Sequence, residues 1–243
     1  MAKRKAPRST AASSSRQAVG STRSTGLLTA LVTRDRDPSL VEVHVDGIRV
    51  GIVLRSAIDD LGLREGARLS AAKRVALATA CERAEARTLA LRLLAGRDRS
   101  GAMLERHLVE GRGISQPVAI ATRKQLQSDG WQDDRRYAET RAATLVAERH
   151  ASHALVLETL IHEGIADRLA REVATAIASP STELARAIAC ARSTMSPAAQ
   201  RGAGGAAAKR TLARKIAQQL ARRGYEEETV WQALERIGLR AEE

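Results

Sequence analysis

The sequence predicts a mainly α-helical protein built from three similar helical units, preceded by a small β segment and a basic N-terminal arm. The chain has 243 residues, of which 44% are hydrophobic, yet it contains no phenylalanine and only two tryptophans and two tyrosines. Its core must therefore consist of Leu, Ile, Val and many alanines, a composition that suits closely packed helices. Three glycines at comparable spacing mark the ends of helices and divide the helical region into units.

The arm, residues 1–26, is rich in Ser, Thr, Ala, Arg and Lys and has little to bury, so we predict that it is disordered. It contains Lys3, Arg4, Lys5 and Arg8 and lacks the apolar stretch of a signal peptide. No run of about 18 apolar residues occurs, and Cys81 and Cys190 have no metal-ligand spacing. We therefore expect a cytoplasmic protein that does not span a membrane.

A small β segment is predicted at residues 27–69. In VEVHVDGIRVGIV the apolar residues alternate on both sides of Asp46-Gly47, a dipeptide favoured in two-residue hairpin turns. LLTALV, residues 27–32, provides a third strand. Because so small a sheet is marginal alone, its apolar face should dock on the helices that follow.

From Ser70, a candidate N-cap of a helix that reaches Gly96, the pattern is helical. Gly113, Gly164 and Gly224 occupy equivalent positions, each preceded by matching aliphatic residues. We predict three copies of one unit at 70–130, 131–179 and 180–243, each glycine being a left-handed helix cap. The third copy is lengthened by a Gly/Ala/Ser/Pro-rich loop at 193–208.

The segment DGWQDDRRYAE, residues 129–139, contains the paired carboxylates Asp133 and Asp134. Adjacent helical residues point about 100° apart, so the pair does not face one target, and acids at a helix start complement its dipole. We interpret both as helix-start residues. The sequence shows no zinc ligand set, phosphate loop or catalytic triad, so we predict a protein that is not an enzyme and needs no metal or cofactor.

Positive charge is concentrated in two segments. The net charge is +12, and residues 1–23 and 192–223 carry six and eight basic groups without an acidic one. In KRTLARKIAQQLARRG, Leu212, Ile216 and Leu220 form an apolar stripe. Arg210, Arg214, Lys215 and Arg222 lie on or beside the opposite face, which predicts contact with an anionic partner or a merely solvated face.

Four stretches of the chain resemble the RecX family, regulators of the RecA recombinase. They are LALRLLAGRDRSGAMLERHL (89–108), GWQDDRRYAE (130–139), LIHEGIAD (160–167) and KIAQQLARRGYEEETVWQAL (215–234). The resemblance implies three tandem three-helix repeats in an elongated, curved body. It also implies binding to RecA and its nucleoprotein filament on DNA, with restraint of filament growth, ATP hydrolysis and strand exchange.

We expect a monomer whose contacts with the partner or with DNA, the latter non-specific, involve both basic segments and the start of the second unit. The residues are Arg135, Arg136, Tyr137, Arg210, Arg214, Lys215, Arg222 and Arg223, together with the four arm residues named above. One alternative is a direct, phosphate-contacting DNA-binding protein of the nucleoid type. Another is a helical-repeat scaffold for a different partner.

Overall fold

The computed structural model describes residues 26–200 and 205–239. The described chain is a three-stranded antiparallel sheet followed by helices, which confirms the predicted fold class. The predicted arm, with Lys3, Arg4, Lys5 and Arg8, lies outside the described residues apart from Gly26.

The strands are β1 (Leu28–Arg34), β2 (Asp37–Val45) and β3 (Ile48–Leu54). The helices are α1 (Arg55–Asp60), α2 (Ala71–Gly96), α3 (Gly101–Arg112), α4 (Gln116–Ser128), α5 (Asp134–Arg149), α6 (His153–His162), α7 (Asp167–Ile177), α8 (Glu183–Thr194), α9 (Pro197–Gln200), α10 (Ala206–Arg222) and α11 (Glu227–Arg236). A single 3-10 turn, Pro180–Thr182, precedes α8.

The chain divides into two compact units. The first comprises the described part of Met1–Arg92 with Arg112–Thr122, and the second comprises Leu93–Gly111 with the described part of Arg123–Glu243. The division falls within residues 70–130, the range predicted for the first repeat.

In the first unit, the predicted hairpin and its third strand are present. Asp46 and Gly47 have φ values of 50° and 74°, as a two-residue hairpin turn requires, and the strand order is β1-β2-β3. The register of β2 and β3 shifts between Val43 and His44, and a bulge of this kind changes which residues face the core. In β3 it is Val53 that is fully buried, whereas Ile48 and Val50 are 59% and 38% exposed, so the expected alternation of Ile48, Val50 and Ile52 does not describe the buried face of this strand.

The apolar face of β2 packs into the core of the first unit, which includes Val41, Val43, Leu69 and Leu77. Helix α2 starts as predicted, because the Ser70 hydroxyl accepts a hydrogen bond from the backbone N–H of Lys73 at 3.2 Å. Through this shared core the sheet packs against α2, which provides the support that a small three-stranded sheet needs.

The second unit contains two clusters of three helices. Helices α5, α6 and α7 pack around a core that includes Leu145 and Leu160, whereas α8, α10 and α11 pack around Ile216 and Leu220. The repeat boundaries 70–130, 131–179 and 180–243 stay predictions.

Two glycines in the second unit close similar joints between helices. Gly164 and Gly224 have φ values of +85° and +79°, which confirms the predicted left-handed caps. A Cβ atom on Gly164 would lie less than 3.0 Å from the Ala102 methyl group, and one on Gly224 would lie 2.7 Å from the Ser152 hydroxyl oxygen. Glycine is therefore required at both positions by conformation and by space.

A buried serine completes each joint. The Ser100 hydroxyl donates to the Glu163 carbonyl and accepts from Met103 N–H, while Ser152 N–H donates to the Arg223 carbonyl at 3.1 Å. In both joints the carbonyl that accepts belongs to the residue before the glycine. The start of one helix is thus bonded to the end of another.

The predicted loop at 193–208 is partly helical where it is described. It contains the end of α8, the one-turn helix α9 and the first residues of α10, which begins at Ala206. Alanines at 206–208 explain the early start of α10, because alanine has the highest helix propensity.

Candidate partner-binding surfaces

The first candidate surface lies at the start of α5. Asp133 caps this helix, since its carboxylate accepts from the N–H groups of Arg135 and Arg136 at 2.8 and 3.1 Å. Asp134 accepts from the N–H of Gly101 at 2.8 Å. Both carboxylates thus have structural partners at a helix start, as the sequence analysis predicts.

Arg135 and Arg136 are both about half exposed, yet each already has a partner. Arg135 forms a two-pronged ion pair with Glu172, with N–O distances of 2.8 and 3.2 Å, and this pairing raises the pKa of Arg135. Arg136 donates to the Trp131 carbonyl at 3.3 Å and lies 3.6 Å from Asp98. These guanidiniums can meet a partner only by sharing or exchanging these contacts.

Tyr137 lies in the interior and not on this surface. It is 8% exposed, and its hydroxyl donates to the Glu163 carboxylate at 2.7 Å; Arg141 also pairs with Glu163, at 2.8 Å. Burial first, and then the bond to Glu163, raise the pKa of Tyr137 to about 12. Tyr137, predicted as a contact residue, therefore belongs to the packing of α5.

Trp131 is the residue of this surface that sequence reasoning missed. Trp131 follows Gly130 as Ile165 and Tyr225 follow Gly164 and Gly224, but those two side chains are buried, whereas Trp131 is 56% exposed. The backbone N–H of Trp131 donates to the Leu126 carbonyl, and the backbone carbonyl of Trp131 accepts from the Arg136 guanidinium. An exposed indole on a fixed backbone is typical of an anchor in a protein interface.

The second candidate surface is the outward face of α10. Ile216 and Leu220 are fully buried against α8 and α11, as the predicted stripe requires, while Arg210, Arg214, Lys215 and Arg222 are exposed. At about 100° and 1.5 Å per residue, these four cations lie within an arc of about 140° over about 18 Å of the helix. We call them the α10 stripe.

Arg223, predicted with the stripe, is separate from it. Its side chain is half-buried, and its backbone carbonyl holds Ser152 in the second joint. Burial raises the pKa of the Cys190 thiol, and the charge of the Arg223 guanidinium opposes that shift. Arg223 thus helps to hold α10 in place.

The described residues also bear on other classes of site. Within 26–200 and 205–239, no three His, Cys, Asp or Glu side chains are grouped so that they could hold a metal ion. In the same ranges, no helix has both the length and the apolar character needed to cross a bilayer.

No family model and no curated protein matches this sequence. A crystal structure of regulatory protein RecX is similar, with a TM-score of 0.64 and 19% identity, over 87% of this chain and 98% of that chain. The chain has the fold of RecX. A crystal structure of RecX from Lactobacillus salivarius has a TM-score of 0.52 and 17% identity, over 65% of this chain and 98% of that chain. These matches and the described elements confirm the predicted fold class, mainly helical with an N-terminal three-stranded sheet, whereas the three repeats and the elongated shape stay predictions.

Proposed function

We propose that the protein regulates the RecA recombinase by binding RecA or its nucleoprotein filament on DNA. Binding restrains filament growth, ATP hydrolysis and strand exchange. The observation that supports this most is the similarity to a RecX structure, which extends over 87% of this chain and 98% of that one. The sequence resemblance at residues 130–139 and 215–234 supports the same function.

Regulation takes place by occupancy, without chemical turnover. The carboxylate pair Asp133 and Asp134, which resembles an acid-base site in the sequence, is engaged in capping α5 and bonding Gly101. Inhibition should therefore saturate with protein concentration and leave the protein unchanged. Nucleotide hydrolysis by the protein alone, abolished by Asp133→Asn with Asp134→Asn, would contradict this proposal.

The surface at the start of α5 suits a protein partner. Interface anchors are commonly Trp and Arg, and Trp131 stands exposed beside Arg136 with its backbone held on both sides. Because the backbone of Trp131 is already held, binding has to order only its side chain, so burial of the indole contributes more of its hydrophobic energy to affinity. We assign the recombinase contact to this surface.

The test is to add the purified full chain to RecA on single-stranded DNA and to follow ATP hydrolysis. We expect dose-dependent inhibition, and we expect Trp131→Ala to raise the half-inhibitory concentration by about tenfold or more, the effect of losing about 1.4 kcal/mol or more of binding energy. Trp231, 51% exposed on α11, offers a matched control in which an equally exposed indole is removed elsewhere.

The two parts of the proposal fail separately. If the unchanged protein leaves ATP hydrolysis unaffected and does not bind the filament, the proposed function is wrong. If it inhibits but Trp131→Ala and Trp231→Ala behave alike, the function stands and the assigned contact surface is wrong. Circular dichroism of both variants checks that the helices are retained.

A further inference from the structure

Gln132, the residue that follows Trp131, has a polar side chain that is only 1% exposed. Burying an amide is unfavourable unless it is hydrogen-bonded. Its Nε2 atom donates to the Arg99 backbone carbonyl at 3.3 Å and to the Asp134 carboxylate at 2.9 Å. Because both partners are acceptors, the NH2 group of the amide has to face them. The Gln132 side chain is therefore held in one orientation by two bonds.

The bond from Gln132 to Arg99 joins two corners of the chain within the second unit. One corner, residues 97–100, links α2 to α3, and the other, residues 129–133, links α4 to α5. Asp134, which Gln132 also binds, accepts in turn from the first backbone N–H of α3 at 2.8 Å. Gln132 thus takes part in both links between the corners, in one directly and in the other through the carboxylate that forms it.

The direction of the Arg136 guanidinium depends on the distance between these corners. It donates to the Trp131 carbonyl in one corner at 3.3 Å and lies 3.6 Å from the Asp98 carboxylate in the other. The side chains of Arg136 and Asp98 are about half exposed, and exposed ion pairs contribute little to stability. The buried amide of Gln132 makes the firmer connection, because a hydrogen bond is stronger where water is excluded.

From these contacts we infer that Gln132 is the positioning residue of the recombinase contact. By holding the corner that contains Trp131, it fixes the backbone from which the exposed indole projects. Gln132 does not touch the partner itself, since its side chain is buried. The inference rests on the proposed function, because it specifies how the assigned contact surface is kept in place. A contact that is already in place binds more tightly, because less motion has to be arrested on binding.

Time-resolved fluorescence anisotropy tests the positioning in the free, full-length protein. Trp231→Phe leaves Trp131 as the single indole of the chain. In that background Gln132→Met, which keeps the side-chain volume and removes the NH2 donor, should raise the amplitude of nanosecond indole motion by about twofold or more. Gln125→Met is the matched control and should leave this amplitude unchanged. It also removes an amide–carboxylate bond, of 2.8 Å to Asp129, but this bond is exposed and joins residues only four positions apart.

The consequence for the partner is measured as inhibition of ATP hydrolysis by RecA on single-stranded DNA. Gln132→Met should raise the half-inhibitory concentration by about threefold to tenfold, the effect of having to order one further side chain on binding, and Gln125→Met should change it by less than about twofold. In a Trp131→Ala background, Gln132→Met should add less than about twofold, since a residue that acts through the indole then has nothing to position. A residue needed only for the fold would weaken both proteins alike.

The inference is overturned if Gln132→Met leaves the indole as rigid as in the parent, or weakens inhibition equally with and without Trp131. It is also overturned if the indole becomes mobile while inhibition is unchanged, because the partner then does not use this corner. If the parent neither inhibits RecA nor binds its filament, the proposed function is wrong, and the anisotropy still decides whether Gln132 positions Trp131. Should Gln132→Met lose helicity by circular dichroism, Gln132→Leu, which lacks the same donor, takes its place in both measurements.

Discussion

Replacing Gly164 with alanine tests the joint between the start of α3 and the end of α6. The left-handed conformation of Gly164, φ +85°, costs an L-residue about 1–2 kcal/mol. The added methyl group would also lie less than 3.0 Å from the Ala102 methyl group, a distance that real Cβ atoms do not adopt. Overpacking of this kind typically costs a further 1–3 kcal/mol or so. We expect a total loss of about 2–5 kcal/mol in the free energy of unfolding.

Gly130 provides the matched control, because it has φ +76° and nothing lies within 4 Å of the position that an alanine methyl group would occupy there. Gly130→Ala should therefore lose only the conformational part, about 1–2 kcal/mol. Chemical denaturation followed by circular dichroism measures both variants. Adding Ala102→Gly to Gly164→Ala should recover the steric part of the lost unfolding free energy. About 1 kcal/mol of that recovery is lost again, because glycine is unfavourable inside the helix α3.

Equal losses in Gly164→Ala and Gly130→Ala would refute the reasoning, because the two sites share a conformation and differ in the closeness of Ala102. A double variant that recovers nothing would show that the steric contact is not the cause.

Three further predictions concern stability and binding. The pKa of the Tyr137 hydroxyl is raised from 10.0 to about 12, so this group contributes stability that is complete below pH 10.0 and is lost as the pH rises to about 12. In an alkaline titration, Tyr137→Phe should therefore lose less unfolding free energy over this pH range than the parent. His150 caps the end of α5 with φ 46°, a conformation that glycine adopts without strain. His150→Gly should therefore stabilise the protein by up to about 1 kcal/mol in thermal denaturation, and the Tyr225 hydroxyl would still bond the backbone carbonyl of residue 150. Deleting residues 1–23 should leave melting unchanged but make the salt dependence of DNA binding shallower, since six basic groups are removed; an unchanged slope would mean that this segment does not contact DNA.

Features that depend on neighbouring residues were predictable from the sequence. Asp46-Gly47 turns the hairpin, Ser70 caps α2 and Asp133 caps α5, because each outcome depends on φ preferences or on a side chain that bonds the backbone close to it in sequence. The apolar stripe of α10, with Ile216 buried, follows from helical periodicity. Periodicity and the RecX resemblance were also enough to predict the fold class.

Tertiary packing decided which residues of each motif reach the surface. Trp131 and Tyr137 belong to one short motif, yet the indole is exposed and the phenol is buried, because only Tyr137 meets Glu163, which lies 26 residues away in sequence. Arg222 and Arg223 are adjacent and equally basic, but the carbonyl of Arg223 is bound by Ser152.

The glycines show the same division between local and tertiary causes. Gly113, Gly164 and Gly224 are all left-handed helix ends, and the sequence by itself determined this, because a helix cap is a property of the local chain. Only the folded structure shows that Gly164 and Gly224 are closed against Ala102 and Ser152, whereas Gly130 faces open space. The physical reason is that close approach depends on segments distant in sequence, which a local pattern does not specify.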